Sequence, residues 1–335
     1  MRYPKFCATL SLGLVLLITT AASAQYSVTN LVSNLAGGAP TVDPLLANPW
    51  GLVYAPGSPF WVSDQASGWS TLYNGSGTKE SLNVVVPPAT GSGPGSPTGI
   101  VYNGSSQFQI NTWTSIFIFS TLDGTISGWS PFNIGASLIA VTQPGASFTG
   151  LAITNYSSFN HIYAADAAND VIDMYDGNFK LVGQFTDASV PDGFAPFGIQ
   201  DIGGKLYVSY AATNGQGGGY ISIFTEQGEF VKRFASGSRF NQPWGFAVAP
   251  SNFGPLSGAL LITNNATIGT INAFNLKTGK FIDVVRHFNQ PVSINGIWGI
   301  EFGGGTTNNG PTNWMYFTAG PNDTDGYFGF VEVQQ

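Results

Sequence analysis

Phe148-Thr149-Gly150-Leu151-Ala152-Ile153, His161-Ile162-Tyr163-Ala164-Ala165-Asp166, Asp170-Val171-Ile172-Asp173-Met174-Tyr175 and Leu181-Val182-Gly183-Gln184-Phe185 follow one another in a single short stretch. Each run is apolar and rich in β-branched or aromatic residues, as strands are. Asp176-Gly177-Asn178 joins the third run to the fourth. Gly and Asn there can take the positive φ of a tight hairpin turn. The gaps are too short for crossover helices, which parallel strands would need. The stretch therefore reads as a four-stranded antiparallel meander.

The same plan recurs along the chain. Groups ending in Gly open an apolar stretch at Pro49-Trp50-Gly51, Pro97-Thr98-Gly99, Phe148-Thr149-Gly150, Pro196-Phe197-Gly198, Pro243-Trp244-Gly245 and Ile297-Trp298-Gly299. Successive glycines lie 48, 51, 48, 47 and 54 residues apart. A period of about 50 residues filled with short strands is the signature of a β-propeller. The last unit holds only three strands, Gly299–Phe302, Trp314–Thr318 and Gly329–Val333, before the chain stops. At the other end Tyr26–Val32 is a strand without a blade of its own. Placing it outside the last unit closes the ring and covers an open sheet edge. The expected fold is an all-β, six-bladed β-propeller with its last blade closed by the N-terminal strand. Residues 34–48, 87–97 and 303–311 read as surface loops.

Residues 1–24 have the form of a secretory signal peptide: Arg2 and Lys5, an apolar core from Leu10 to Ile18, and Ala22-Ser23-Ala24 before Gln25. The apolar run is too short for a membrane span, which needs about 20 residues. The expectation is a single propeller domain over 25–335, secreted to the periplasm or the medium, with no membrane insertion. Cys7 is the only cysteine, so residues 25–335 contain no disulfide, no thiolate nucleophile and no cysteine metal ligand.

Removing Arg2 and Lys5 leaves 9 basic residues against 18 acidic ones. The densest basic pair is Lys232-Arg233. Nucleic acid and anionic membrane are poor partners for such a surface, and neither is expected. An extracellular protein or a neutral polysaccharide fits better, and a monomer is expected.

Tyr163-Ala164-Ala165-Asp166, Asn169 and Val171-Ile172-Asp173 resemble the strand endings of NHL-type six-bladed propellers, and Val62-Ser63-Asp64 and Ile262-Thr263-Asn264 echo the same position. The chain departs from that family in lacking most of its arginines and lysines. Through Asn48-Pro49-Trp50-Gly51 and Gln242-Pro243-Trp244-Gly245 the chain also resembles a family of uncharacterised secreted bacterial propellers, a likeness that implies no activity.

The ends of the second strands carry Asp64, Thr121, Asp166, Tyr210, Asn264 and Thr318. Gluconolactonase-like propellers bind a divalent metal near the channel through Glu, Asp and Asn and hydrolyse lactones. That resemblance implies Asp64, Asp166 and Asn264 as trial ligands for Ca²⁺ or another hard cation. Its ligating glutamate has no counterpart after Gly51, where Leu52 and Val53 follow. The competing role for these three residues is to cap the turns between strands through local backbone hydrogen bonds. The binding-module reading needs no cofactor.

Other chemistry is sparse. His161 and His287 are the only histidines, and no serine sits in a Gly-x-Ser-x-Gly elbow. Lyase or oxidase chemistry would need another base, such as Tyr210. A polysaccharide-active enzyme would need a carboxyl pair about 5 to 10 Å apart, to which Asp187, Asp192 and Asp201 are candidate contributors. Trp50, Trp244 and Trp298 share one phase with Phe197, which argues for packing between neighbouring blades. Trp69 and Trp129 stand beside glycines and are the candidates for stacking on sugar rings. The leading expectation is a secreted binding or scaffold module; the alternatives are a metal-dependent lactonase or esterase and a polysaccharide-active enzyme.

Overall fold

The computed structural model describes Met1 and residues 25–154 and 160–334. The signal-peptide reading of residues 1–24 falls outside the described residues apart from Met1. Six antiparallel blades of four strands follow in chain order, the last extended by the short parallel strand Thr41–Val42 beside Gln25–Ser33, and each inner strand carries one of the six glycine groups at or near its start. Blade one comprises Pro49–Tyr54, Phe60–Asp64, Trp69–Tyr73 and Lys79–Val85. Blade two comprises Pro97–Tyr102, Phe117–Thr121, Thr125–Trp129 and Leu138–Thr142, and blade three Phe148–Ile153, His161–Asp166, Val171–Asp176 and Leu181–Phe185. Blade four comprises Phe194–Asp201, Lys205–Ala212, Gly219–Thr225 and Phe230–Ser236, and blade five Pro243–Val248, Ala259–Asn264, Thr270–Asn275 and Phe281–Val284.

Blade six takes Ile297–Phe302, Met315–Ala319 and Tyr327–Gln334 from the end of the chain, and Gln25–Ser33 from its start. Gln25–Ser33 runs antiparallel to Tyr327–Gln334, with Val28 opposite Val331 and one bulge between Asn30 and Val32. The closure read from the sequence is the closure observed.

Between each pair of neighbouring blades lies an apolar core. Blades five and six enclose Leu261, Ile271, Ile297 and Phe317, and blades two and three enclose Ile118, Phe148 and Ile162. Blades six and one share Phe60, Tyr316 and Phe328. Hydrophobic burial is thus distributed around the ring rather than gathered in one centre.

The periodic glycine has a steric cause. A Cβ on Gly51 would lie 2.5 Å from the Thr98 carbonyl, on Gly198 2.1 Å from that of Trp244, and on Gly245 2.4 Å from that of Trp298. Gly99, Gly150 and Gly299 face the inner strand of the next blade in the same way. The inner strands converge on the axis so closely that a side chain at this phase has no room. Hydroxyls stitch the same seams. Thr98 Oγ1 donates to the Phe148 carbonyl at 2.6 Å, Thr263 Oγ1 to that of Trp298 at 2.8 Å, and Thr318 Oγ1 to that of Trp50 at 2.7 Å.

Candidate ligand site at the lower mouth of the axial channel

The inner strands start at one face of the ring, here the upper face, and run to the lower one. Their residues line the axis in layers. At the top, Trp50, Trp244 and Trp298 pack with Phe197 and Leu122. Trp50 stacks on Trp298 at 3.6 Å and 18°, and meets Trp244 and Phe197 edge-on, each at 6.1 Å. Blades one and four stand opposite each other in a ring of six, so Trp50 and Phe197 can touch only across the axis. The tryptophans were expected in the wedges between neighbouring blades; instead they converge as a plug over the channel. Their recurrence at one phase was legible, but not which way the rings would turn.

Below the plug and the glycine layer, Leu52, Ile100, Leu151, Ile199, Phe246 and Ile300 contribute one apolar side chain per blade around a cavity of about 40 Å³. That is room for a single water or so, and no ligand passes from face to face. One residue further down, the position is Val53, Val101, Ala152 and Ala247 in four blades, but Gln200 and Glu301 in the other two. Both polar residues border the axial cavity and a wider one of about 230 Å³ that opens at the lower face. Tyr54, Tyr102, Ile153 and Asp201 complete the mouth.

The two carboxyls there are perturbed. Glu301 is half-buried, and burial pushes its carboxyl up to about 7, partly offset by the Phe302 backbone N–H. Burial raises Asp201 to about 6, with the negative charge of Glu226 adding to the shift. The Gly204 N–H donates to Asp201 Oδ1 at 3.1 Å and acts in the opposite sense. Burial holds Tyr54 up at about 12, and the charge of nearby Glu301 reinforces it. A concave mouth where apolar residues meet convergent polar groups and shifted carboxyls has the make-up of a ligand site.

Asp64, Asp166 and Asn264 occupy equivalent places in alternate blades, opposite Pro49, Phe148 and Pro243. All three are buried, and the axial channel is lined by the inner strands instead. Asp166 Oδ1 accepts from the Ser147 and Ala168 backbone N–H groups at 3.0 and 3.2 Å, and Oδ2 from Asn169 Nδ2 at 2.6 Å. Asn264 Oδ1 accepts from the Asn241 N–H at 3.0 Å, while Nδ2 donates to the Arg239 carbonyl at 2.9 Å. Asp64 Oδ2 accepts from Thr71 Oγ1 at 2.8 Å, and its Oδ1 has no hydrogen-bond partner among the described residues. Burial holds the Asp64 carboxyl well above the usual carboxylate range. Among the described residues, no group of three or more His, Asp or Glu side chains is placed to hold a metal ion.

The remaining candidates scatter. Asp187 is buried in an ion pair with Arg233 at 2.6 Å and accepts from Ser222 Oγ at 2.6 Å. Hydrogen bonds from Ser189, Ser222 and Arg233 outweigh its burial and lower it to about 2. Asp192 is exposed on the upper side, whereas Asp201 lies at the lower mouth. Tyr210 is buried and pushed up to about 12, so it keeps its proton. His161 is half-buried, and exposed His287 meets the Tyr26 carbonyl through Nδ1 at 2.9 Å. Of the two candidates for sugar stacking, Trp129 is buried against Trp61 and Trp69 is half-buried; the exposed aromatics of blade two are Trp113 and Phe132.

Glu301 is not among the residues singled out from the sequence, because the glutamate that the gluconolactonase resemblance implies has no counterpart after Gly51. The signal was present as the one charged residue two places after a motif glycine. An upper cavity of about 400 Å³ is larger, but its amides are engaged in holding loops. Gln242 Nε2 donates to the Ala212 carbonyl and Asn265 Nδ2 to that of Ile297.

Among the described residues, no helix is long and apolar enough to cross a membrane. No family model matches the chain. Several solved propellers share its fold at low sequence identity. An aldose sugar dehydrogenase from Streptomyces coelicolor aligns with a TM-score of 0.58 at 13% identity, covering 93% of this chain and 99% of that one. A gluconolactonase from Xanthomonas campestris aligns at 0.56 and 12%, covering 86% of each chain. A virginiamycin B lyase from Staphylococcus aureus aligns at 0.55 and 11%, covering 93% and 100%. Sequence relatives come from Acanthamoeba polyphaga mimivirus. Protein R640 is 33% identical over 228 residues, but the match spans only 42% of its length. Protein R648 is 30% identical over 300 residues, 82% of this chain and 73% of R648. Protein L690 is 31% identical over 304 residues, 83% of this chain and 79% of L690. The chain thus belongs to the propeller family that includes the mimivirus proteins R648 and L690.

Proposed function

We propose that the protein is an exported binding propeller that takes a neutral, polyhydroxylated ligand, the end or edge of a saccharide, at the lower mouth of its axial channel. One observation carries the reading. The channel is blind above, and at its open end Gln200, Asp201 and Glu301 converge with Tyr54 and Tyr102 on an apolar floor. A carboxyl near 7 is largely protonated in mildly acidic solution and can then donate as well as accept a hydrogen bond. Such groups suit hydroxyls better than a cation, which favours fully charged carboxylates. The NHL-like strand endings enter this account as scaffold. A Ca²⁺ ion at Asp64, Asp166 and Asn264 would have to displace the hydrogen bonds that Asp166 and Asn264 already make.

The raised pair also favours a second reading, in which Glu301 delivers a proton during lactone or glycoside hydrolysis. Glu301→Gln separates the two, because the amide keeps the shape and hydrogen bonding of the protonated acid but cannot transfer a proton. Calorimetric titration with soluble neutral oligosaccharides at pH 6 is expected to give similar affinities for wild type and Glu301→Gln, and weaker binding by Glu301→Ala. Equal binding by Glu301→Ala sinks the mouth assignment. Turnover that disappears in Glu301→Gln replaces binding with hydrolysis.

A further inference from the structure

We propose that Trp113 and Phe132, on the lower face of blade two, form a stacking platform for the sugar rings of a neutral glycan chain. The proposal rests on the reading of the lower face as the binding face, and it extends the ligand from a single residue at the mouth to a chain lying across that face.

Trp113 is 44% exposed and Phe132 63% exposed, yet their rings stack at 3.5 Å and 18°. Stacked face to face, each ring covers one side of the other and fixes its orientation, and the remaining exposed area of Trp113 and Phe132 is left to meet a ligand. Both are carried on braced backbone. Trp113 follows the turn Asn111-Thr112, whose φ angles of 49° and 73° close a tight hairpin between Gln109–Ile110 and Trp113–Thr114. That hairpin is anchored by buried Phe108, whose N–H donates to the Gly177 carbonyl at 2.7 Å. On the other side Trp129 Nε1 donates to the Ile134 carbonyl at 3.3 Å. The Val85 N–H donates to the Gly135 carbonyl, and the Ser137 N–H to that of Val85, each at 3.0 Å. The platform is therefore set before any ligand arrives, which limits the entropy lost on binding.

The occupant follows from charge. Between Glu80 and Asp166 the only charged residue is Asp123. Asp123 belongs to the upper face, where it accepts from the Ala89 N–H at 2.6 Å. The lower face of blade two carries exposed Gln109, Asn111 and Thr112 around the rings, with no charged residue from its own blade. Nucleic-acid bases would also stack on such rings, but their phosphates need Lys or Arg. A neutral sugar needs only an aromatic face for its C–H side and amides or hydroxyls for its edge.

The test is affinity electrophoresis through soluble mixed-linkage β-glucan and through xylan, in 50 mM and 1 M salt. Wild type, Trp113→Ala, Trp113→Tyr, the double variant Trp113→Ala/Phe132→Ala, and Glu301→Ala are compared, each checked for an unchanged melting temperature. The expected result is retardation of wild type by at least one polymer, unchanged by salt. The double variant should bind about tenfold more weakly, and Trp113→Tyr should keep most of the retardation. No retardation of wild type by either polymer overturns the proposal, as does retardation equal in the double variant or lost in high salt. Self-association of wild type that the double variant abolishes in sedimentation assigns the patch to a second copy and overturns it as well. Loss only in Glu301→Ala refutes the platform and leaves the mouth standing; loss only in the double variant supports the platform and refutes the mouth.

Discussion

Glu301 sits where four of the six blades place valine or alanine, and its surroundings set its chemistry. Its carboxyl is raised to about 7 in the folded chain from an ordinary value of 4.5. Between those values the folded state binds more protons than the unfolded one, so this group makes stability fall as pH rises through that window. Asp201, raised to about 6, acts in the same direction over a lower range. Glu301→Gln removes its share of this effect and leaves that of Asp201 in place. Thermal melts of the variant should therefore change less between pH 5 and pH 8 than those of wild type, with the variant the more stable at pH 8. Parallel profiles would show that Glu301 titrates like a solvated carboxylate.

At the scale of the element, the inner strand combines two requirements that the sequence displays separately. Its glycine lets neighbouring backbones approach, and hydroxyls near it join the blades. Thr263 Oγ1 accepts from the Gly245 N–H and donates to the Trp298 carbonyl, both at 2.8 Å, and is fully buried. Thr263→Val keeps the shape and strands both partners. The expected cost is about 1–3 kcal/mol, read as a lower urea midpoint with an unchanged denaturant slope; an unchanged midpoint would contradict the seam. The period and strand boundaries were legible because they are local: glycine phase, β-branched runs and hairpin turns occur within one repeat. His161–Asp166 and Leu181–Phe185 were placed residue for residue. The hairpin beside Trp113 was not, because its two-residue strands are too short to show alternation.

At the scale of the whole molecule, the proposed site draws on residues far apart in sequence that the ring brings to one axis. Trp50 and Trp298 stack across the closure of the ring, and Gln200 and Glu301 meet at one mouth from blades four and six. No single repeat contains either constellation, so the fold was readable and the site was not. Even so, the phase of Glu301 relative to Gly299 could have marked it. The trial ligands Asp64, Asp166 and Asn264 were equally periodic, and the structure puts them in the second strands of three different blades. Periodicity alone gives no direction to a side chain. The upper face offers a larger cavity and the lower face one with shifted carboxyls, so the proposed function turns on which face binds. The most direct test is amide hydrogen exchange with and without saturating neutral oligosaccharide. Slower exchange confined to the lower ends of the inner strands and their following loops, around Tyr54, Tyr102, Asp201 and Glu301, is the predicted result. Slower exchange at the upper loops around Gln242, Thr267 and Asp323, or none at any saturating concentration, would contradict it.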